Sequence, residues 1–145
     1  MSSTICLGWR EWLALPELGI ASIKAKIDTG ARTSALHAFV IDPFHVGPQL
    51  KIRFGIHPLQ RRTDVELYCE ADVIDQRLVT DSGGHREQRY VIRTPVQLGE
   101  HTWPIDMTLT DRDGMRFRML LGRSAMRRGM MVNPRASYLL GRPSA

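Results

Sequence analysis

A chain of 145 residues is long enough for one domain around one hydrophobic core. Apolar residues make up 43% of it and charged residues 24%, which excludes an intrinsically disordered chain. Its apolar runs are far shorter than the roughly 20 residues that span a bilayer, and its first residues lack the pattern of a secretory signal. Cys6 and Cys69 match no metal spacing and no disulfide framework, so we expect a cytoplasmic protein without a membrane segment.

The net charge is +5, and the basic residues are almost all arginine: of 20 Lys and Arg, only Lys24, Lys26 and Lys51 are lysine. A planar guanidinium suits carboxylate or phosphate better than an ammonium does, so an acidic partner is one interpretation. A GC-rich genome, which favours arginine codons, accounts for the composition equally well. Nucleic acid is a weaker candidate, because the arginines are scattered and no helix-turn-helix, zinc-finger or RNP pattern occurs.

Short β-strands dominate the predicted elements, and they bury alternate residues. In chain order the predicted strands are "ASIKAKI", "SALHAFVI", "LKIRFGI", "VELYCEADV", "RYVIRTPVQL", "WPIDMTLT", "RFRMLLG" and "MVNPRASYLL". The turn "GEH" joins two of them into a hairpin, and "RSAMRRG" is the one predicted short helix. The stretches "DPFHVGP" and "GIHPLQRRTD" are predicted loops, and "TDSGGHREQ" is a turn between two strands. The pattern favours a sandwich or a small barrel.

The stretch "KAKIDTGARTSALHA" contains an Asp-Thr-Gly at the end of a predicted strand. Ile23, Ala25 and Ile27 alternate toward one face before Asp28 interrupts the pattern. A lone Asp-Thr-Gly is weak evidence, but a second motif follows far downstream. There "MLLGR", residues 119–123, places two leucines and a glycine before an arginine.

This pair of motifs resembles the retropepsin-like aspartic proteases. Together with "TLTDRDGM" and "FRMLLGRSAM", it makes the chain similar, from about residue 6 to residue 141, to one bacterial family of retropepsin fold. Members of that family are labelled ATP-dependent zinc proteases and occur beside ATP-grasp glutamate ligases. The resemblance implies that residues 1–145 form a single retropepsin-like domain, a mainly β, closed barrel with one short helix.

The resemblance also implies that Asp28 is the catalytic carboxylate, with Thr29 and Gly30 as its loop. The hydroxyl can hold neighbouring backbone, and a residue without a side chain lets its N–H approach the carboxylate. Two such carboxylates about 3 Å apart share one proton, so one acts as a general base on water and the other as a general acid. With one motif per chain, this mechanism requires a homodimer with the site on its two-fold axis.

Other residues are expected to support the loop or to contact substrate. The resemblance implies a structural role beneath the loop for Leu120, Leu121, Gly122 and Arg123. Arg89 and Arg93 fall on one face of a predicted strand and could receive substrate carboxylates, although a solvated strand face accounts for them equally well. The candidate substrate-binding residues are Ala31, Arg32, His85 and Arg89.

The sequence departs from the viral pattern at one informative position. Arg32 stands where viral retropepsins carry an aspartate that pairs with the arginine of their own "LLGR", so Arg123 needs another partner, for which Asp111 and Asp113 are candidates. A second motif of this type, Asp-Ser-Gly, begins at Asp81 and is interpreted as a turn, with an approach of Asp81 to the site as the alternative. A second "LLGR" near the end of the chain is interpreted as part of the last strand.

Neither zinc nor ATP finds support in the sequence. The five histidines form no HExxH pattern, and no GxxxxGK[ST] phosphate loop occurs, so we expect no metal and no cofactor.

Three functions follow from these observations. The first is an aspartic-type endopeptidase that hydrolyses acidic or glutamate-ligated peptides as a homodimer. The second is a non-catalytic binding or adaptor module of the same fold that recognises acidic tails for an ATP-grasp ligase partner. A nucleic-acid binder is the third, and steep salt dependence of its affinity would mark it.

Overall fold

The computed structural model describes residues 4–59, 64–80, 83–111, 117–127 and 129–142, which consist mostly of β-strands. The strands are β1 (Ile5–Leu15), β2 (Ile20–Asp28), β3 (Ser34–His37), β4 (Val40–Val46), β5 (Gln49–Ile56), β6 (Leu67–Asp72), β7 (Asp75–Thr80), β8 (Arg86–Leu98), β9 (His101–Thr110), β10 (Met119–Gly122) and β11 (Met130–Ser137). Two short 3-10 turns accompany them, Pro16–Leu18 and Arg123–Ala125. Within these described ranges no helix is long and apolar enough to cross a membrane.

Eight of the strands form one sheet, in the order β11-β1-β2-β10-β3-β9-β8-β7. Strand β1 also pairs with β8, through Ala14 opposite Gln97, and this contact brings β1, β2, β10, β3, β9 and β8 round into a ring. Strands β4, β5 and β6 form a second, antiparallel sheet. The predicted mainly β class is confirmed, and the expected closure takes the form of this ring.

Burial of alternate side chains explains why β2 forms where it does. Ile23, Ala25 and Ile27 are buried, as their alternation predicts, while the residues between them are not. They belong to one apolar core, which also takes in Ile52 and Phe54 from the second sheet. The core therefore supports β2 up to the residue at which the strand opens to solvent.

Two segments form strands that were not predicted, because their apolar and polar residues do not alternate regularly. Strand β1 has no counterpart in the prediction, because its buried Glu11 interrupts the apolar pattern. The predicted loop "DPFHVGP" is largely strand β4, with a turn after it at Gly47 (φ 60°). Pro43 is tolerated there because β4 is an edge strand, where a missing N–H costs no ladder hydrogen bond.

Three further predictions differ in extent. The stretch "SALHAFVI" is divided between β3 and β4, which lie in different sheets. The predicted helix "RSAMRRG" is the single turn Arg123–Ala125, because Met126 already has extended backbone angles. The last strand ends at Ser137 rather than continuing through the second "LLGR", because Tyr138 has a left-handed conformation (φ 54°) and a turn follows it.

The "GEH" hairpin is confirmed as the turn between β8 and β9, where Leu98 lies opposite His101. Gly83 and Gly84 of the "TDSGG" stretch lie between β7 and β8. Asp81 itself lies outside the described residues.

Candidate active site

Asp28 is the last residue of β2, and its half-buried side chain lies where the strand passes into a tight turn. The Gly30 N–H donates to Asp28 Oδ1 at 3.1 Å, and the Ala31 N–H donates to the Asp28 carbonyl oxygen at 3.2 Å. The expected approach of a glycine N–H to the carboxylate is therefore present. Thr29 is exposed, and its hydroxyl makes no hydrogen bond within the described part of the chain.

Strand β10 lies parallel to β2, and it brings the second motif directly beside the first. Gly122 pairs with Asp28, and Leu121 pairs with Ile27. Leu121 is fully buried and fills the core as expected, whereas Leu120 is half-buried and lines the cleft described below. The support beneath the loop thus comes from one of the two leucines and from the strand backbone.

Gly122 occupies a position where a side chain cannot fit. A Cβ atom built on it would lie 2.5 Å from the carbonyl carbon of Thr33 and 2.6 Å from its oxygen. The Gly122 N–H donates to the Ser34 hydroxyl at 3.0 Å, and this contact locks β10 onto the start of β3. Close backbone contact therefore explains the glycine of the second motif.

Three hydrogen bonds join the two motifs around the Asp28 turn, and two of them come from Arg123. Its guanidinium Nη1 donates to the Gly30 carbonyl at 3.2 Å, and its backbone N–H donates to the Ala31 carbonyl at 2.8 Å. The next N–H, of Ser124, donates to the Arg32 carbonyl at 3.1 Å. In the described ranges no ion pair joins Arg123 to Asp111, and Asp113 lies outside them, so the partner that Arg123 finds is a backbone carbonyl.

The turn opens onto a cleft of about 1480 Å³. The described lining includes two acidic side chains, Asp28 and Asp106. Basic side chains outnumber them: Lys26, Arg32, Arg77, Arg89, Arg93 and Arg123. An excess of basic side chains gives the cleft a positive electrostatic potential.

Two arginines in this cleft hold an aspartate of the chain itself. Arg93 Nε lies 2.8 Å from Asp106 Oδ1, and Arg77 Nη2 lies 3.4 Å from Asp106 Oδ2. The hydrogen bond from Arg93 is the largest cause that lowers the pKa of Asp106, ahead of the opposing effect of burial. The same hydrogen bond raises the pKa of Arg93, so this pair stays ionised near neutral pH.

The predicted substrate-binding residues divide into two groups. Ala31, Arg32 and Arg89 all line the cleft, and Arg93 shares it as the common strand face predicts. His85 is exposed just before β8 and is not among the described lining residues. The described residues contain no group of three or more His, Cys, Asp or Glu side chains that could hold a metal ion.

Sequence reasoning missed Arg77 and Asp106. Arg77 lies on β7, for which no strand was predicted, because its half-exposed residues show weak alternation. Asp106 did carry a signal, since it is an acidic residue between Ile105 and Met107 in a predicted strand. Only the pairing of the strands could show which side chain it would meet.

A family model described as RimB-like, the retropepsin-like aspartic endopeptidase RimB, matches residues 6–143. The chain belongs to this family. The match confirms the resemblance that the Asp-Thr-Gly and "LLGR" motifs indicated.

Curated proteins also match most of this chain. Two curated relatives are each named "Probable alpha-L-glutamate ligase". The one from Shewanella halifaxensis is 47% identical over 135 residues, and the one from Parasynechococcus marenigrum is 48% identical over 141 residues. These matches cover 93% and 97% of this chain, and the chain spans about 30% of the length of the curated relatives it matches.

A crystal structure of Lpg0085, a Legionella pneumophila protein of unknown function (DUF785), is similar in fold, with a TM-score of 0.78 and 23% identity. The similarity covers 95% of this chain and 99% of that one.

Proposed function

We propose that this protein is an aspartic-type endopeptidase in which Asp28 activates water to hydrolyse peptide bonds. The observation that carries the proposal is the position of Asp28, which lines a cationic cleft and whose turn is held by hydrogen bonds. Its carboxylate accepts from Gly30, and Gly122 and Arg123 hold the turn from the neighbouring strand. Membership of a family named for aspartic endopeptidases supports the same chemistry.

The mechanism needs a second carboxylate beside the first. Two aspartates about 3 Å apart share one proton, so that one takes a proton from water and the other gives one to the peptide oxygen. Each chain supplies one Asp-Thr-Gly of this kind, so we propose a homodimer in which Asp28 meets Asp28 of a second copy. The exposure of Thr29 and Gly30 supports this arrangement, because a second copy can reach the turn.

We propose that the substrates are acidic or glutamate-ligated peptides and that the protein acts in the cytoplasm. The excess of arginine in the cleft supports an acidic substrate. The names of the relatives support a link to ligation, because a segment similar to this chain occupies about 30% of proteins named as glutamate ligases. An ATP-grasp ligase is therefore the proposed partner.

A second function draws on the same names. A segment within a ligase can hold an acidic tail for the ligase without cleaving it, so a non-catalytic adaptor of the same fold is the alternative. Release of a product distinguishes the two functions, because the adaptor binds acidic peptides and leaves them intact.

The test compares the wild type with Asp28→Asn and with a matched control, Asp42→Asn, which alters an exposed residue of β4 outside the cleft. Each protein is incubated with glutamate-rich peptides and with their glutamine counterparts from about pH 4 to pH 8, which brackets a shared-proton carboxylate pair. Mass spectrometry identifies the products. Cleavage by the wild type and Asp42→Asn but not by Asp28→Asn is the expected result.

Two other outcomes would contradict the peptidase. Full activity of folded Asp28→Asn would remove Asp28 from the mechanism. Tight binding of acidic peptides without cleavage by any variant would favour the adaptor. Light scattering of the same samples tests the homodimer, because a monomer that cleaves peptides would exclude the shared pair.

A further inference from the structure

Two arginines face each other directly across the pairing of β7 and β8. Arg77 lies opposite Arg89 in the register, and both side chains line the cleft. Directly opposed residues on antiparallel strands point to the same side of the sheet, and like charges in this position repel. Arg77 is compensated by two carboxylates of the chain, because its Nε lies 2.9 Å from Asp75 Oδ2 and its Nη2 lies 3.4 Å from Asp106 Oδ2. Among the described residues Arg89 has no comparable partner, so an anion in the cleft would reduce the repulsion between the two arginines.

Arg89 is buried but incompletely neutralised. Its side chain is 8% exposed, and its nearest carboxylate, Glu87, lies 3.5 Å from Nη2. Its Nη1 donates to the Thr108 hydroxyl at a long 3.4 Å. Its Nε is buried and has no hydrogen-bond partner among the described residues.

Glu87 is a weak partner of Arg89, because their 3.5 Å separation exceeds the usual length of a charge-assisted hydrogen bond and the Glu87 carboxylate is oriented by another donor. Both of its carboxylate oxygens accept from the Thr110 hydroxyl, at 3.0 and 3.2 Å. A buried charge without a complete set of partners is costly, and a native structure that keeps one calls for an explanation. An anionic ligand that binds Arg89 in the cleft would explain it.

The neighbouring Arg93 already binds a carboxylate of the chain. Arg93, four residues along the same face of β8, holds Asp106 through Nε at 2.8 Å, and Arg77 reaches the same carboxylate at 3.4 Å. Asp106 is thus a carboxylate of the chain that already occupies part of the arginine cluster, which we define as Arg77, Arg89 and Arg93. Arg89 is the member that Asp106 does not reach in the described contacts.

We propose that Arg89 and Arg77 form a subsite for one carboxylate of the bound peptide, with Arg89 as its principal donor, and that Asp75 and Asp106 compete with that carboxylate for Arg77. The subsite deepens the proposed function and rests on it for the nature of the ligand. Selectivity for acidic peptides would then depend on these two arginines rather than on the overall positive charge of the cleft. An incoming carboxylate takes the donors of Arg89 and shares Arg77 with Asp75 and Asp106.

The test measures binding in an Asp28→Asn background, so that no cleavage confuses the result. The probes are a glutamate-rich peptide and its glutamine counterpart, titrated at about 0.1 M salt, where the Debye length of about 10 Å suppresses diffuse attraction. We expect the glutamate peptide to bind about tenfold more tightly or better, as hydrogen bonds to a charged group allow. Adding Arg89→Gln should bring that ratio close to one with little change for the glutamine peptide.

Arg135→Gln is the matched control, because it removes the same charge from an exposed residue of β11 outside the cleft. It should leave the ratio intact. Asp106→Asn should strengthen binding of the glutamate peptide alone, since it frees Arg93 and removes one of the two carboxylates that bind Arg77. Should Arg89→Gln fail to fold, Arg77→Gln serves in its place, because Arg77 is 38% exposed and easier to change.

An unchanged ratio in folded Arg89→Gln, or in Arg77→Gln where that variant replaces it, would overturn the subsite. So would an equal loss of ratio in Arg135→Gln, which would reveal diffuse attraction. The two proposals fail separately. Selective binding that depends on Arg89 without cleavage by the wild type would leave the subsite standing and refute the peptidase. Cleavage of both peptides by the wild type without selective binding would support the peptidase and refute the subsite.

Discussion

The guanidinium of Arg123 donates to the carbonyl oxygen of Gly30 at 3.2 Å, so a residue of the second motif holds the turn of the first. The backbone N–H of Arg123 reinforces this contact through the Ala31 carbonyl at 2.8 Å. The position of the Asp28 carboxylate thus depends on a strand that arrives from the other end of the chain. This dependence leads to the first prediction.

Arg123→Lys should lower kcat on a glutamate-rich peptide by about tenfold and change KM little. An ammonium cannot reproduce the planar guanidinium, so the turn loses its brace while the rest of the cleft remains. Stability should fall by only about 1 kcal/mol, the usual net value of one hydrogen bond. Arg127→Lys, at an exposed position near Trp103, is the control. A rise in KM at constant kcat would assign Arg123 to substrate binding instead.

Gly122→Ala should destabilise the protein by about 1–3 kcal/mol, the usual cost of forcing atoms into a packed site. Its new methyl group would meet the backbone of Thr33 at 2.5 Å, and backbone cannot rotate away as a side chain can. Gly30→Ala is the comparison, since there the nearest atom lies at an acceptable 3.4 Å. Urea unfolding measures both. Equal losses of stability in the two variants would contradict the steric argument.

Glu11→Gln should destabilise the protein by about 1.5–3 kcal/mol, the range for hydrogen bonds to a charged group. Glu11 is fully buried, and its carboxylate accepts from the N–H groups of Gly8 (2.7 Å), Leu139 (2.9 Å) and Leu140 (3.2 Å). The amide NH₂ of glutamine cannot accept, so at least one of these donors loses its partner.

Hydrogen exchange should show the effect of Glu11→Gln at Leu139 and Leu140, whose amides should lose protection. The exposed Glu17, changed to Gln, serves as the control. A stability loss as small as that of Glu17→Gln would show that the carboxylate does not anchor the end of the chain.

Asp106 should contribute to stability at neutral pH and lose that contribution in acid. Its pKa is lowered below the ordinary value of 3.8, chiefly by the hydrogen bond from Arg93. A lowered folded-state pKa gives stability that is present above the unfolded value and disappears as the pH falls through the folded value. The stability difference between wild type and Asp106→Asn should therefore shrink below about pH 4.

Chemical unfolding at several pH values measures that difference. Asp75, whose pKa is lowered chiefly by its hydrogen bond to Arg77, keeps some acid sensitivity in the variant. A stability difference that is independent of pH would show that the charge of Asp106 is not what stabilises the fold.

The two cysteines should react with a thiol reagent at very different rates. Burial raises the pKa of Cys69 to about 11, and its thiol lies 3.3 Å from the Leu18 carbonyl, whereas Cys6 is exposed. At about pH 8 the Cys69 thiolate is scarce and shielded, so labelling should stop at one cysteine until the protein is unfolded. Cys6→Ser should abolish the fast reaction. Fast labelling of that variant would place Cys69 at the surface.

The local part of the site was predictable because it depends on residues adjacent in the chain. The alternation that ends at Asp28 predicted β2 and its terminus, and both motifs were visible by composition and spacing. Where the alternation fails, the prediction failed too. Strand β1 was not predicted because Glu11 breaks its pattern. That buried carboxylate is stabilised by the nearby N–H of Gly8 and by the N–H groups of Leu139 and Leu140, which come from the far end of the chain.

The sequence by itself determined the mainly β class, the family and the position of Asp28, because strand period and short motifs are properties of neighbouring residues. The tertiary structure decided which strands meet. Only the register of β10 on β2 sets Gly122 beside Asp28, and only the pairing of β7, β8 and β9 gathers Arg77, Arg89 and Asp106 in one cleft. A one-residue shift in either pairing would turn those side chains to the opposite face, so the charge of the cleft depends on long-range pairing energy that no local pattern records.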